Sequence, residues 1–314
     1  MVWLARKVKE KKKMANTMAA PVANSFATYA SKFLPLLDEV YKRGSLSAIL
    51  DTADERVNWI GAKTVNVLKL DLNGNANYDR NAGYVPGSAT GVWEPLTLAI
   101  DRGRSFLLDT MDADEMLLSA GQVLAEHQRV WAIPEEDAYR FAKIAAGANA
   151  SNVVSAALTT GFASAIQDGE AALDEAEVPY EGRILFVSPT VYKGLKNDIT
   201  RFTENGDPDV NGTVEMYDDM RVIRVPQSRF NDTITLNAPT AANGAGGFVA
   251  AGNDIHFMIV HPSAVIQIVK HLVPEIYAPS QVFTADGWII NYREYHDTFV
   301  LANKNKGIYV HKAQ

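Results

Sequence analysis

The sequence predicts an α+β fold, and three stretches carry that reading. Residues 182–225 run strand, helix, loop, strand. Arg183-Ile184-Leu185-Phe186-Val187 is an apolar run stopped by Ser188-Pro189, and Met220-Arg221-Val222-Ile223-Arg224-Val225 is stopped by Pro226. Between them Val191, Leu195, Ile199 and Phe202 share one helical face. A helical period also rules much of 112–178, and short apolar runs with turn residues between them return from Phe248 to the C-terminus. The order of strand and helix at 182–225 fits either a crossover unit or a small mixed sheet. Ser-Pro-Thr after the first strand is a helix start, not a phosphate-binding glycine loop.

Bulk composition sets the limits. With 314 residues, 47% of them hydrophobic, the chain can bury a sizeable core, as one large domain or two closely joined ones. A formal charge of -7 gives no nucleic-acid signature. The absence of cysteine excludes disulfides, cysteine nucleophiles and thiolate metal sites. No apolar run approaches the roughly 20 residues of a membrane helix, and no signal-peptide core opens the chain. The expectation is a soluble protein made in the cytoplasm, with no membrane partner.

The chain starts with a basic tract: Arg6, Lys7, Lys9, Lys11, Lys12 and Lys13 against Glu10. It reads either as a basic arm or as residues ahead of a natural start at Met14. The second reading is preferred, because Lys9-Glu10 and the lysines after it resemble a translated ribosome-binding site. Residues 1–13 are expected to be disordered under both readings. Phe26, Tyr29, Phe33 and Leu37 then recur at helical spacing, interrupted by Pro35, up to Gly44. So little apolar surface predicts a segment that lies across another surface.

Residues 63–101 read as β. Val65 and Val67 alternate with Asn66, Leu68 and Leu70; a turn-rich tract follows; and Val92 to Ile100 returns. A long hairpin with so few apolar residues needs support from elsewhere. From Asp112 or Asp114 a helix carries Leu117, Ala120, Leu124, Gln128 and Trp131 on one stripe. Pro134 is expected to end that helix and open another, with Ala138, Phe141, Ala142 and Ala145 on its apolar face and Gly147 as its stop. Asn149 to Leu158 is loop or weak strand. A further helix holds Phe162, Ile166, Gly169, Leu173 and Ala176 on one face and closes at Val178-Pro179. After a loop over 227–247, strands are expected at 248–250, 255–260, 265–269 and 288–295. Thr298–Ala302 and Ile308–His311 read as a final hairpin.

Candidate chemistry is sparse. Asp207-Pro208-Asp209-Val210-Asn211-Gly212, continued to Glu215 and Asp218, nearly matches a calcium loop, with Asp207, Asp209, Asn211, Glu215 and Asp218 as oxygen donors. Asp218 is a short-armed last ligand, however, and the segment after it reads as strand rather than helix. The preferred reading is a solvated connecting loop. His256, His261, His271, Glu294, His296 and Asp297 crowd the C-terminal strands, and Glu294 and His296 share a strand face, yet no spacing fixes a metal geometry. No nucleophile elbow, Walker loop or dinucleotide fingerprint is present. No catalytic residue, cofactor or metal is therefore assigned.

The phrase VPYEGRILFVSPTVYKGLKND over 178–198, followed by GTVEMYDDMRVIRVPQSRF over 212–230, resembles the axial-domain core of tailed-bacteriophage major capsid proteins, a fold shared with encapsulins. The resemblance extends from about Thr64 to Lys312 in the order of elements. It implies an N-terminal arm (1–62), an extended hairpin loop (63–111), a spine helix with the first part of a peripheral domain (112–180), an axial domain (181–262) and C-terminal peripheral strands (263–314). It also implies inter-subunit contacts at Tyr78, Arg80, Tyr84 and Trp93 on the hairpin, since aromatics and arginine carry much interface energy. Some family members cross-link covalently through a hairpin lysine. Here Lys63 and Lys69 lie at the base and none lies between Leu72 and Thr90, so non-covalent stability is expected.

The function implied is an icosahedral shell of pentamers and hexamers around double-stranded DNA, a non-enzymatic role. Implied partners are portal, scaffold and decoration proteins and weakly held DNA, and the implied location is the virion, assembled in the bacterial host cytoplasm. One alternative is an encapsulin-type nanocompartment. Another, of a different class, is a soluble α+β calcium-binding protein or enzyme.

Overall fold

A computed structural model describes residues 44–52, 59–60, 63–81, 83–110, 120–202, 214–238, 244, 246–282 and 286–314. The basic tract, the helical stripe at 26–37, the cap candidates Asp112 and Asp114, and Asp207, Asp209 and Asn211 lie outside them. In chain order, β1 (Trp59–Ile60), β2 (Thr64–Leu72), β3 (Ala89–Thr97) and β4 (Ile100–Asp109) precede helix α1 (Ala120–His127). One π turn (Gln128–Ala132) joins α1 to α2 (Ile133–Gly147). Then come β5 (Val153–Ser155), α3 (Phe162–Glu175), β6 (Ile184–Val187), α4 (Pro189–Phe202), β7 (Met216–Tyr217) and β8 (Met220–Arg224). The chain finishes with β9 (Ile234–Leu236), β10 (Phe248–Ala250), β11 (Ile255–Val260), β12 (Val265–Tyr277), β13 (Gly287–Val300) and β14 (Ile308–Lys312).

Two compact units share the chain. One takes the described residues of 44–103, Glu126–Leu272 and Arg293–Gln314; the other takes the described residues of 104–125 and 273–292. In the second unit Thr110 donates its backbone N–H to Asp286 O at 3.2 Å. Gly287 there lies so close to Leu108 O that a Cβ would sit 2.5 Å from it.

The larger unit is built on a mixed six-stranded sheet in the order β5-β14-β11-β6-β8-β7. β6 pairs parallel with β8, Ile184 opposite Arg221 and Val187 opposite Arg224, so the 182–225 stretch is a β-α-β crossover set within a mixed sheet. Strand alternation sends consecutive residues to opposite faces. Ile184 and Phe186 join Phe141 and Ile144 of α2, with Phe230, Met258, Val260, Ile308 and Val310. Leu185 and Val187 join Ile166 and Leu173 of α3 and Val191 and Leu195 of α4. A sheet covered on both faces explains why β6 is apolar at every position. Ser188 starts α4 as anticipated, its Oγ accepting the Val191 N–H at 3.4 Å.

Several sequence expectations are corrected. Pro134 does not end a helix: α1 runs into α2 through the π turn, whose wider turn rearranges the carbonyls ahead of a residue with no N–H. That turn also rotates the stripe. Leu124 and Gln128 are buried, but Trp131 is 52% exposed. The final hairpin does not form, because β13 is one strand from Gly287 to Val300 and β14 pairs with β11 and β5 instead. Ile308 to His311 are all buried, which requires the interior of a two-sided sheet rather than a hairpin arm. β12 runs on to Tyr277, and β4 is a full strand where only its first two residues, Ile100 and Asp101, were anticipated as β.

Candidate functional site

The β2–β3 ribbon is the most unusual surface of the larger unit. Its register runs from Thr64 opposite Thr97 to Leu72 opposite Ala89, nine residues on each strand, or about 30 Å at strand rise. Residues directly opposite in an antiparallel pair share a face. Leu68 faces Trp93, and Leu70 and Leu72 follow on the same side opposite Gly91 and Ala89. These four large side chains are between 52% and 61% exposed. The other face carries Val67 with Glu94, Lys69 with Val92 and Asp71 with Thr90. One side of the ribbon is thus a continuous apolar strip in solvent.

The base of the ribbon is anchored. Val65 and Leu98 are buried with Ile268, and Ile266, Tyr295 and Phe299 pack against them. Leu98 donates its N–H to Lys63 O at 3.0 Å, and its carbonyl accepts the Tyr295 hydroxyl at 2.9 Å. The tip is held locally. Gly83 N–H reaches Asp79 O at 2.7 Å, Asn81 N–H reaches Asp79 Oδ1 at 2.7 Å, and Ser88 Oγ–H reaches Asn73 Oδ1 at 2.7 Å. Gly83 has a φ of +82°, a left-handed position that favours glycine.

Of the residues expected to make contacts, Tyr78, Arg80 and Tyr84 lie at the exposed tip and Trp93 on the apolar strip. Tyr78 and Tyr84 stack edge to face with ring centroids 4.9 Å apart, and Tyr84 is 88% exposed. Leu68, Leu70 and Leu72 were missed. Their period-2 spacing was visible in the sequence, but interface weight went to aromatics and arginine.

The polar groups near the C-terminus fall in several places. Glu294 and His296 on β13 meet Glu136 on α2, one donor atom of each lying within 4.8 Å of the others. Arg140, one turn after Glu136, forms an ion pair with it. Burial raises the Glu136 carboxyl well above its usual range, against the lowering charge of Arg140. Burial, then the Arg140 charge, lowers the His296 imidazole to about 3, so it is neutral at physiological pH. Asp297 turns elsewhere: its Oδ2 accepts Ala99 N–H and its Oδ1 accepts the Tyr139 hydroxyl, both at 2.8 Å. His256 and His311 form a second group, with ring centroids 5.3 Å apart and both imidazoles lowered by burial. His261 Nδ1 caps the turn at Ser263, and His271 is exposed on β12.

Two members of the calcium-loop pattern are described. Glu215 precedes β7, and its carbonyl accepts Val222 N–H at 2.9 Å. Asp218 sits in the β7–β8 turn, where Asp218 and Asp219 adopt φ of 48° and 60°, the mirror-image turn suited to a tight hairpin. Burial, then the hydrogen bond and charge of Asp218, raises the Glu170 carboxyl to about 7.

No protein-family model matches the chain, and no curated protein does. Solved structures do match in fold. A cyanophage P-SCSP1u capsid structure aligns at TM-score 0.63 and 15% identity, covering 84% of this chain and 86% of that one. The mature capsid of bacteriophage PhiM1 aligns at TM-score 0.59 and 14% identity, over 81% of this chain and 82% of that one. A virus-like particle from Pyrococcus furiosus aligns at TM-score 0.53 and 12% identity, over 90% of this chain and 98% of that one. The chain therefore has the α+β fold of the subunits in these phage capsids and this virus-like particle.

Proposed function

We propose that the chain is the major capsid protein of a tailed bacteriophage and assembles with copies of itself into an icosahedral shell around double-stranded DNA. The observation that best supports this reading is the apolar strip Leu68, Leu70, Leu72 and Trp93 on a chain of capsid fold. A two-stranded ribbon is marginal alone, and a contiguous exposed apolar face marks a contact surface. Covering each half-exposed side chain is worth about 1 kcal/mol, and repetition around a closed shell turns such modest contacts into a stable container.

In this reading the hairpin (63–111) and N-terminal arm (1–62) reach across neighbours. The spine helix and C-terminal strands (112–180 and 263–314) form the peripheral domain, and 181–262 forms the axial domain of pentamers and hexamers. Tyr78, Arg80, Tyr84 and Trp93 make inter-subunit contacts, with the three leucines beside Trp93. Portal, scaffold and decoration proteins are the other partners, and the site of action is the virion after assembly in the host cytoplasm. The role is structural rather than enzymatic. DNA is held weakly, since a chain of net charge -7 neutralises few phosphates. Light scattering on purified chain tests the reading: masses of capsomers or larger support it. Tight, salt-sensitive DNA binding by residues after Met14 would contradict its DNA part.

A further inference from the structure

We infer that Glu136, Glu294 and His296 form a buried site for one divalent transition-metal ion of the zinc class, which clips helix α2 to strand β13. The three side chains come from two elements far apart in sequence, and the larger unit brings one donor atom of each within 4.8 Å of the others. His296 Nε2 stands 3.6 Å from Glu294 Oε1, too long for a hydrogen bond. It is close to the roughly 3.3 Å that separates two donors of a tetrahedral ion with bonds of about 2.0–2.1 Å. Glu136 has to close by a rotamer adjustment to join them.

Two further facts point to a ligand. The residues are 1%, 3% and 3% exposed, and Glu136 Oε2 lacks a hydrogen-bond partner among the described residues. Charge is the other. A buried carboxylate needs an opposite charge close by, and Glu136 takes its charge from Arg140, which is shared. Its guanidinium pairs with Glu136 through Nη2, while Nη1 reaches Asp51 at 3.0 Å and the Ser47 hydroxyl at 3.1 Å. Neighbouring carboxylates have their own partners. Asp137 accepts from Ser45, Leu46, Ser47 and Arg229, and Asp297 from Ala99, Tyr139 and Thr298. Glu136 therefore has only a share of the Arg140 charge, which leaves room for a cation at its second oxygen. One imidazole with two carboxyl groups is a donor set for zinc or a neighbouring transition metal, and it is too poor in oxygen for calcium.

The test uses the untagged full-length chain, stripped with chelator and reloaded with zinc chloride before desalting. The expected result is about one zinc per chain by mass spectrometry, a thermal midpoint that falls on stripping and recovers on reloading, and loss of the ion in Glu294→Gln and His296→Gln. Cobalt added to the stripped wild type should give the visible absorption of a nitrogen- and oxygen-ligated ion, a readout that needs no variant to fold. Zinc at buffer level, no cobalt band and no change in midpoint would overturn the proposal. So would variants that fold and retain the zinc.

Discussion

Asp297 accepts the Tyr139 hydroxyl on one carboxylate oxygen and the Ala99 N–H on the other, each at 2.8 Å. One buried carboxylate therefore locks strand β13 both to helix α2 and to the chain just beyond the hairpin base. Asp297→Ala would leave a buried hydroxyl and a backbone N–H unpaired, at about 2–4 kcal/mol. Denaturant titration should read that loss. Hydrogen exchange should show Ala99 losing protection before the sheet strands do.

The apolar strip separates folding from assembly. Changing Leu68, Leu70 and Leu72 together to Ser removes side chains that are at least half exposed in the single chain. Each should alter folding stability by no more than about 0.5 kcal/mol. Assembly should be lost. Thermal midpoints and sedimentation, measured on the same samples, check both halves.

Glu170 makes stability depend on pH. Its folded-state carboxyl is raised to about 7 by burial and by Asp218, with Asp174 adding to the rise and Arg183 opposing it. A raised carboxyl contributes stability that is fully present below its unfolded value near 4.5 and is lost as pH rises through about 7. His256 and His311, lowered by burial, act in the opposite sense: their contribution is present above 6.5 and is lost on acidification through their folded values. Glu170→Gln should therefore remove the loss of stability between pH 5 and 7.5, leaving the histidine trend. Thermal midpoints across that range, for wild type and variant, show whether it does.

Gly169 lets helix α3 lie directly on the sheet. A Cβ there would stand 2.8 Å from the Tyr309 ring and 3.2 Å from Ile259 Cδ1, and Tyr309 is itself buried. Gly169→Ala gains about 1 kcal/mol of helix propensity, but overpacking costs about 1–3 kcal/mol. The net should be destabilising, with far-ultraviolet helix content unchanged. Equilibrium unfolding would show the sign.

Much of the fold was legible because its signals are local. The run Ile184 to Val187, its Ser188-Pro189 stop and the stripe Val191, Leu195, Ile199, Phe202 placed a strand and a helix where they stand. What failed depended on tertiary partners. Nothing local says that β14 pairs with β11 and β5; that choice follows from burying both faces of Ile308–His311. Helix period alone put Trp131 on the buried stripe, and one π turn removed it. At the hairpin, the position of Tyr78, Arg80, Tyr84 and Trp93 was readable from turn residues, whereas the leucine strip needed the register to join it to Trp93. Glu294 and His296 were visible as neighbours on one strand face, but Glu136, some 160 residues earlier, was not.

Electron microscopy of size-exclusion fractions of the full-length chain, taken across salt and crowding conditions, tests the central claim most directly. The account predicts closed shells, tubes or capsomer rings in wild type and their absence when Leu68, Leu70 and Leu72 are changed to Ser. A single small species in every condition, unchanged by those substitutions, would contradict it.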